Sequence, residues 1–261
     1  MSATTILWNE AAIGFERLFG AAVGFKTWRS RGAVLAMSGA QAPDLNCGVV
    51  TAGEHAPSAI GEMAGRLRDR GLPGLVLVAD GTGAAADEAA TAVGLVRAAR
   101  MPLMSLPAAN IPAETGAFWV RRATTAADVT AANRLMAAAF DLSIEPLHVA
   151  FPPRLLEEPA VAVNIVLDGD EPVGAVQTTI HDGTVGVWSM ATLPARRRRG
   201  VARAGLTYAV AERCRAGGHS VFLIATDAGR PLYDAVSFRV VDWCTVWLAL
   251  PYVANGPDES A

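Results

Sequence analysis

The sequence predicts an α+β protein, in which a mixed, mainly antiparallel sheet is flanked by helices in a tandem arrangement of two related halves. Three observations predict this class. The 261 residues are enough for about two domains. The carboxy-terminal half alternates strands and helices around a meander, and the amino-terminal half repeats the end of that order. With 52% hydrophobic and 18% charged residues, the chain can bury a sizeable core, which excludes wholesale disorder.

The carboxy-terminal half begins with a short strand and a capped helix. Residues 118–122 (FWVRR) form an apolar run followed by two arginines, which predicts a strand. The next segment, ATTAADVTAANRLMAAAF, opens on the cap-type residues Thr124, Thr125 and Asp128 and continues in strong helix formers. We therefore expect a helix directly after the strand.

Three β-rich runs follow from Val161 onward. They read VAVNIVLD, PVGAVQTTIH and TVGVWSMATL, and the dipeptides Gly169-Asp170 and Asp182-Gly183 separate them. Turn-prone dipeptides between β-branched runs are typical of antiparallel hairpins. The sequence therefore predicts an antiparallel meander.

Helices and strands alternate through the remainder of this half. After Pro194 and four arginines, Gly200 opens a helix, VARAGLTYAVAERCRAGG, which ends at Gly217 and Gly218. SVFLIAT predicts a buried strand, GRPLYDAV a short helix, and FRVVDWCTVWLAL a final strand or pair of strands.

The amino-terminal half repeats the last part of this order. SAIGEMAGRLRDRG predicts an amphipathic helix that ends at Gly71, and LVLVAD predicts a buried strand. ADEAATAVG predicts a helix that ends at Gly94, and LVRAARMPLMSL predicts another strand. The matching spacing suggests an internal duplication. We place the first domain at residues 1–115, the second at 116–253 and a flexible tail at 254–261, with the linker at 108–116.

An arginine-rich turn between a strand and a helix is the sharpest local feature. In LPARRRRGVARAGL, Pro194 stops the strand and the helix begins directly after Gly200. The first turn of a helix has free N–H groups and the positive end of the helix dipole. Residues 196–199 and Arg203 add positive charge. The turn is therefore a candidate site for a phosphate or pyrophosphate, and a solvated basic patch is the simpler alternative.

This turn resembles the loop signature of the GNAT superfamily of acyl-CoA-dependent N-acyltransferases. The signature is Arg or Gln, two residues, Gly, one residue, and then Gly or Ala. Arg197, Gly200 and Ala202 match it. Pro194 stands three residues earlier, as it often does in the family.

A second segment, GRPLYDAVSF, resembles a later helix of the same family, which ends in Tyr, a short spacer and Gly-Phe. Tyr233 and Phe238 fill the aromatic positions, whereas Ser237 replaces the usual glycine. Thr226 stands where many members have asparagine. The resemblance spans about residues 118 to 250. The amino-terminal half has no counterpart of the arginine–glycine turn, so we interpret it as a degenerate GNAT-like half that binds no CoA. It either walls the acceptor site or serves as inert support.

The resemblance implies how the cosubstrate, acetyl-CoA, would bind. The strands TVGVWSMATL and SVFLIAT would splay apart to admit the pantetheine arm, and backbone groups would pair with that arm. Amides of residues 198–203 would hold the pyrophosphate. The expected cofactor-binding residues are Met190, Ala191, Thr192, Arg197, Arg198, Arg199, Gly200, Val201, Ala202, Arg203 and Thr226.

The resemblance also implies an N-acetyltransferase that acts on a primary amine of a small molecule or a protein. A neutral amine would attack the thioester directly, which requires positioning, a donor near the oxyanion and proton management. By analogy, Tyr233 would protonate the departing thiolate, and the alternative for Tyr233 is a packed core tyrosine. The alternative function is a non-catalytic acyl-CoA-binding or regulatory module.

The sequence shows no obvious base for the amine. The positions at which many relatives carry a glutamate correspond to Trp188 and Val221, and neither side chain accepts a proton. Other candidates are His181, Asp182, Glu145 and His148. A base acting through water and an acceptor amine of low pKa both stay open. Trp188 suggests an aromatic-lined acceptor pocket, although a tryptophan on a sheet is more often part of the core.

Composition and spacing argue against several other classes. A net charge of −3 is unlike that of a nucleic-acid-binding protein. No apolar run approaches the length of a transmembrane helix and no secretory signal is visible, so we expect a cytoplasmic protein without membrane partners. The three cysteines and four histidines lack metal-ligand spacing, which predicts no metal. Residues 81–86 fit a dinucleotide-binding turn but lack the acidic residue that should follow. A homodimer stays open.

Overall fold

A computed structural model describes residues 2–51, 53–112 and 118–251. The expected tail at 254–261 and residues 113–116 of the expected linker lie outside the described residues. The amino-terminal elements are α1 (Ala3–Phe19), β1 (Lys26–Ser30), β2 (Ala33–Met37), β3 (Asn46–Val50), α2 (Ala56–Asp69), β4 (Gly74–Ala79), α3 (Ala84–Ala92) and β5 (Val96–Pro107). The carboxy-terminal elements are β6 (Trp119–Arg122), α4 (Ala126–Phe140), α5 (Ile144–Ala150), β7 (Val161–Asp168), β8 (Glu171–His181), β9 (Thr184–Thr192), α6 (Val201–Arg215), β10 (Ser220–Ile224), α7 (Arg230–Ala235) and β11 (Arg239–Ala249).

The α+β class and the tandem arrangement are confirmed. All strands of the described residues form one sheet in the order β1-β2-β3-β4-β11-β5-β10-β9-β8-β7-β6. β1 to β5 correspond in turn to β7 to β11. With this correspondence, the strand order read inward from β1 is the same as the order read inward from β7. β6 is an additional strand at the edge beside β7. In both halves, two antiparallel pairings are followed by one parallel pairing. The duplication suggested by spacing is therefore visible in the topology.

The last strand of each half is inserted into the other half. β11 lies between β4 and β5, and β5 lies between β10 and β11. The segment FRVVDWCTVWLAL forms the single strand β11, with register shifts against β5 rather than a break. Because the strands interleave, neither half has a continuous sheet of its own.

Helix α1, which the sequence analysis did not anticipate, lies between the two halves. It packs against β2 and β3 of its own half and against β8 and β9 of the other. Four other strands separate these pairs in the sheet, so the sheet curves around α1. The concave core joins Trp8 and Phe19 of α1 to strands of both halves and to α4 and α5. On the opposite, convex face, α2 and α3 cover the amino-terminal half, and α6 and α7 cover the carboxy-terminal half.

The predicted cap of α4 forms as expected. The Asp128 amide donates to the Thr125 hydroxyl at 3.2 Å, and the Thr125 amide donates to the Asp128 carboxylate at 3.0 Å. Arg121 of β6 donates to the same carboxylate at 2.6 Å. The hydrogen bond from Arg121 holds the pKa of Asp128 well below its usual range.

This depressed pKa predicts an acid-sensitive contribution to stability. The contribution of the ionised Asp128 is fully present above its unfolded pKa, near 4, and is lost as pH falls toward the lower folded pKa. We expect Asp128→Asn to lower the free energy of unfolding at pH 7 by about 1–2 kcal/mol, and by less at pH 3. Urea denaturation of both proteins at the two pH values measures the difference. A difference that stays constant between pH 7 and pH 3 would contradict the assignment.

Candidate active site

The parallel strands β9 and β10 pair only at their beginnings. Residues 184–186 pair with residues 220–222, and within the described part of the chain β9 continues to Thr192 without a further partner on β10. The two strands therefore part and leave a cleft that is open toward the carboxyl end of β9. The equivalent strands of the other half, β3 and β4, stay paired from Cys47 to Val50, the last residue of β3.

A β-bulge lies on β9 where the cleft opens. Ser189 and Met190 together oppose the single residue Val176 of β8, and Ser189 has a φ of 47°. Both bulge residues are half-buried. Serine is an ordinary strand residue, so the sequence carried no signal for this bulge.

The arginine–glycine turn after β9 presents a row of unpaired backbone amides. Gly200, with a φ of 91°, caps α6, and the first backbone bond of the helix runs from the Ala204 amide to the Gly200 carbonyl at 3.0 Å. The six amides of residues 198–203 donate to no acceptor among the described residues. Successive free N–H groups at the positive end of a helix dipole form an anion-binding concavity.

The arginine side chains of this turn differ in what they contact. Arg196 pairs with Asp168 at 3.0 Å and also with Glu171, so its charge is already compensated. Arg197 donates to the Ala139 carbonyl at the end of α4, at 2.7 Å. The guanidinium groups of Arg198 and Arg203 are exposed and make no ion pair or hydrogen bond within the residues that the structure describes.

The three expected β9 residues point in different directions. Ala191 packs in the concave core, whereas Met190 packs against the convex cluster that contains Tyr233. The Thr192 hydroxyl is buried without a hydrogen-bond partner in the described chain. An unpaired buried hydroxyl at the edge of the cleft fits a polar ligand group.

Tyr233 of α7 lies on the convex side of the parted strands. Its ring packs edge-on against Phe238, with centroids 5.8 Å apart, and joins a cluster with Val187 and Val221. Its hydroxyl makes no hydrogen bond among the described residues. Burial raises the pKa of Tyr233 to about 12, so the phenol keeps its proton at neutral pH.

Thr226 lies beside Tyr233. The Thr226 hydroxyl accepts from the amide of Gly229, the residue directly before α7, at 3.2 Å. A Cβ on Gly229 would lie 3.2 Å from the Tyr233 ring and 3.3 Å from the Thr226 hydroxyl. Both predicted residues therefore contact the same glycine, close to the end of β10.

Trp188 faces the concave side and is part of the core. Its indole donates to the Thr179 hydroxyl at 2.9 Å, and its ring centroid lies 4.8 Å from Phe15 and 5.7 Å from Phe222. A Cβ on Gly14 would lie 2.3 Å from the Trp188 ring, so α1 needs glycine there. The aromatic residue expected to line an acceptor pocket is therefore packed between the two halves. Val221, the second position at which many relatives carry a glutamate, is fully buried.

His181 has a partner that the sequence analysis missed. Its Nδ1 atom lies 3.1 Å from both carboxylate oxygens of Glu10 on α1. Burial raises the pKa of Glu10, although the hydrogen bond to His181 opposes this effect. In the sequence, the signal for this contact was Glu10, a glutamate among the buried residues of an amphipathic segment. The histidine that it contacts lies 171 positions away along the chain. Asp182 is a turn residue with a φ of 45°, and Glu145 and His148 are exposed on α5.

Two features are absent from the described residues, a metal-ligand cluster and a membrane-spanning helix. No group of three or more histidine, cysteine or acidic side chains in the described chain is arranged to hold a metal ion. Among these residues there is also no helix with the length and apolar character needed to span a membrane.

Structural comparison defines the class of this fold. The chain is similar to a GCN5-related N-acetyltransferase from Kribbella flavida, with a TM-score of 0.72, 16% identity, and coverage of 95% of this chain and 96% of that one. It is similar to a GCN5-related N-acetyltransferase from Sphaerobacter thermophilus (TM-score 0.61, 15% identity, 85% and 78% coverage). A tandem GNAT protein from the clavulanic acid biosynthesis pathway also matches (TM-score 0.54, 12% identity, 90% and 86% coverage). The fold is that of a tandem GNAT protein.

The sequence identifies the family of one half more closely. Residues 130–238 match the model of the acetyltransferase (GNAT) family. The carboxy-terminal half therefore contains a GNAT acetyltransferase domain, which confirms the resemblance carried by its two motifs. Comparison with curated protein sequences found no match. The family and the fold support acyl transfer as the chemistry of this protein, with an acyl-CoA as the general donor class.

Proposed function

We propose that this protein is an N-acetyltransferase, which transfers an acetyl group from acetyl-CoA to a primary amine of a small molecule or a protein. The observation that carries the proposal is the cleft between β9 and β10, which leads to six amides, those of residues 198–203, that donate to no acceptor among the described residues. A parted strand pair offers backbone groups to an amide-bearing arm, and the amide row suits a pyrophosphate.

The residues present fit acetyl-CoA in three respects. The unpaired amides and the free guanidinium groups of Arg198 and Arg203 would hold the pyrophosphate. The buried Thr192 hydroxyl, which lacks a partner in the described chain, would meet a polar group of the pantetheine arm. When bound, acetyl-CoA supplies a thioester carbonyl that is activated toward attack.

The reaction then requires two bond changes at that carbonyl and two proton transfers. The nitrogen of a neutral amine forms a bond to the carbonyl carbon, and the carbon–sulfur bond breaks. The departing thiolate would take the proton of the Tyr233 hydroxyl, which is protonated at neutral pH. Water that reaches the half-buried bulge returns the proton lost by the amine to Tyr233.

The proposed function is tested in two measurements on the purified protein. CoA and acetyl-CoA should raise the thermal midpoint, because both would bind the folded state only. Incubation with acetyl-CoA and a broad panel of amines should release free thiol. Absence of CoA binding together with absence of turnover on every amine would reject the proposal.

Tyr233→Phe is expected to lower kcat by about 100-fold, because it removes the proton donor to the thiolate. The ring stays in its apolar cluster, so the thermal midpoint and the stabilisation by CoA should change little. Steady-state rates and thermal shifts check this. A kcat equal to that of the wild type would place Tyr233 in the core without a catalytic role.

One observation favours the second candidate function, a non-catalytic acyl-CoA-binding or regulatory module. Trp188, Phe15 and Gly14 pack tightly on the acceptor side of β9, and no carboxylate or imidazole among the described residues is bonded at the bulge. This module would be stabilised by CoA without transferring acetyl groups. Acetyl transfer that falls in Tyr233→Phe would decide against it.

We further propose that only the carboxy-terminal half binds CoA. In the other half, β3 and β4 remain paired, and the turn that follows β3 carries Glu54 rather than arginines. The domain limits, a cytoplasmic location, and the absence of nucleic-acid and membrane partners stay predictions. Whether the protein forms a homodimer stays open.

A further inference from the structure

Gln177 is a fully buried amide on β8 that has no hydrogen-bond partner in the described part of the chain. The side chain is 1% exposed, and both Oε1 and Nε2 are unpaired among the described residues. A buried polar group without a partner lowers the stability of the folded state, and native proteins contain few of them. Such an amide is a candidate for a functional role, and its place in the fold decides whether it has one.

The position of Gln177 relates it to the cleft. Gln177 pairs directly with Trp188 of β9, immediately before the register shift at which Ser189 and Met190 bulge. It alternates with Ala175 and Thr179, so its side chain lies on the concave face, on which Trp188 also lies. The bulge residues are half-buried, so the surface of the cleft comes within one strand of this amide.

Asn164 is a second buried amide of the same sheet, and it lies away from the cleft. It lies on β7, is fully buried, and has an unpaired Oδ1 and Nδ2 within the described chain. Its strand neighbours Val163 and Ile165 belong to the concave core, so Asn164 points to the convex face under α6. The two amides therefore share burial and chemistry but lie on opposite faces of the sheet.

We propose that the carboxamide of Gln177 positions the attacking amine at the bulge, with Oε1 accepting a hydrogen bond from the amine N–H. This proposal rests on the proposed function and names Gln177 as a positioning residue. A carboxamide does not take up a proton near neutral pH, so it cannot serve as a base. The amine must therefore already be neutral when it binds. The acceptor class that follows is a weakly basic amine, such as an aromatic amine or a hydrazide, rather than an alkylammonium.

The atoms and charges balance without a base at the bulge. The nitrogen–carbon bond forms, the carbon–sulfur bond breaks, and the thiolate receives the Tyr233 proton. The amine nitrogen gives one proton back to Tyr233 through water, and Gln177 keeps both of its own.

The test compares Gln177→Met with Asn164→Leu, each close in shape to the residue that it replaces. Both variants remove an unpaired buried amide, so both should keep or raise the thermal midpoint. Gln177→Met should lower kcat/KM for an aromatic amine by about 10- to 100-fold, whereas Asn164→Leu should stay within about twofold. The CoA-induced shift of the midpoint should be unchanged in both variants.

Amine binding gives a second readout that does not depend on turnover. Isothermal titration of the aromatic amine into CoA-loaded protein should show about tenfold weaker binding for Gln177→Met, and unchanged binding for Asn164→Leu. Equal kcat/KM and equal amine binding in Gln177→Met would overturn the proposal. So would a large drop of its midpoint, or an equal loss in Asn164→Leu. Amine binding that Gln177→Met weakens, in a wild-type protein that transfers no acetyl group, would reject the proposed function and leave this assignment standing.

Discussion

A chain shortened to residues 118–251 is expected not to fold on its own. In the intact protein β5 separates β10 from β11, and residues 103–107 of β5 pair with the whole of β10. Leu103 and Met104 of β5 are fully buried in two different clusters. Removal of β5 and α1 exposes both clusters. The loss of burial should exceed the total stability of a typical domain, about 5–15 kcal/mol.

Circular dichroism and thermal unfolding of the shortened chain test this expectation. We expect no cooperative transition and little near-ultraviolet signal. Co-expression with residues 1–112 is the matched control, because it restores β5 without restoring the covalent connection. Cooperative unfolding of residues 118–251 alone, at a midpoint near that of the intact chain, would contradict the role given to β5.

Gly200→Val is expected to weaken CoA binding by at least about 100-fold. Gly200 has a φ of 91°, in the left-handed region that β-branched residues avoid. Valine would force the turn into another conformation and redirect the amides of residues 198–203. Because these amides would act together on one pyrophosphate, redirecting them removes several charge-assisted hydrogen bonds at once.

Gly217→Val provides the matched control at the other end of α6. Gly217 has a φ of 97°, and nothing lies within 4 Å of a Cβ there. Both substitutions should destabilise the fold by about 1–2 kcal/mol, but only Gly200→Val should lose the CoA-induced rise in thermal midpoint. Thermal shift and calorimetric titration measure both effects. Equal CoA affinity in the two variants would show that the turn does not hold the cosubstrate.

The elements that sequence analysis predicted well are those whose signals are local. The cap of α4 requires only Thr125 and Asp128, three residues apart, and it forms as predicted. The meander of β7, β8 and β9 follows from two turn-prone dipeptides. The arginine–glycine turn also lies in one short segment, so the sequence alone predicts its place between a strand and a helix.

The features that sequence analysis missed depend on contacts between distant residues. Glu10 meets His181, and Gly14 makes room for Trp188, only because α1 lies across the other half. The bulge at Ser189 places a non-glycine residue at a positive φ, and the residue types around it do not predict a bulge. The unpaired amide of Gln177 becomes notable only when its burial and the lack of a partner in the described chain are known.

The sequence alone predicted the order of strands and helices from β7 to β11, the arginine–glycine turn at Gly200 and the place of Tyr233 in a short helix, because each depends on residues close together in the chain. The exchange of the last strands between the two halves and the packing of α1 onto Trp188 are visible only in the folded chain. The physical reason is that strand pairing and helix packing are set by the burial of apolar faces. Many combinations of segments satisfy that burial locally, and only the complete fold selects one of them.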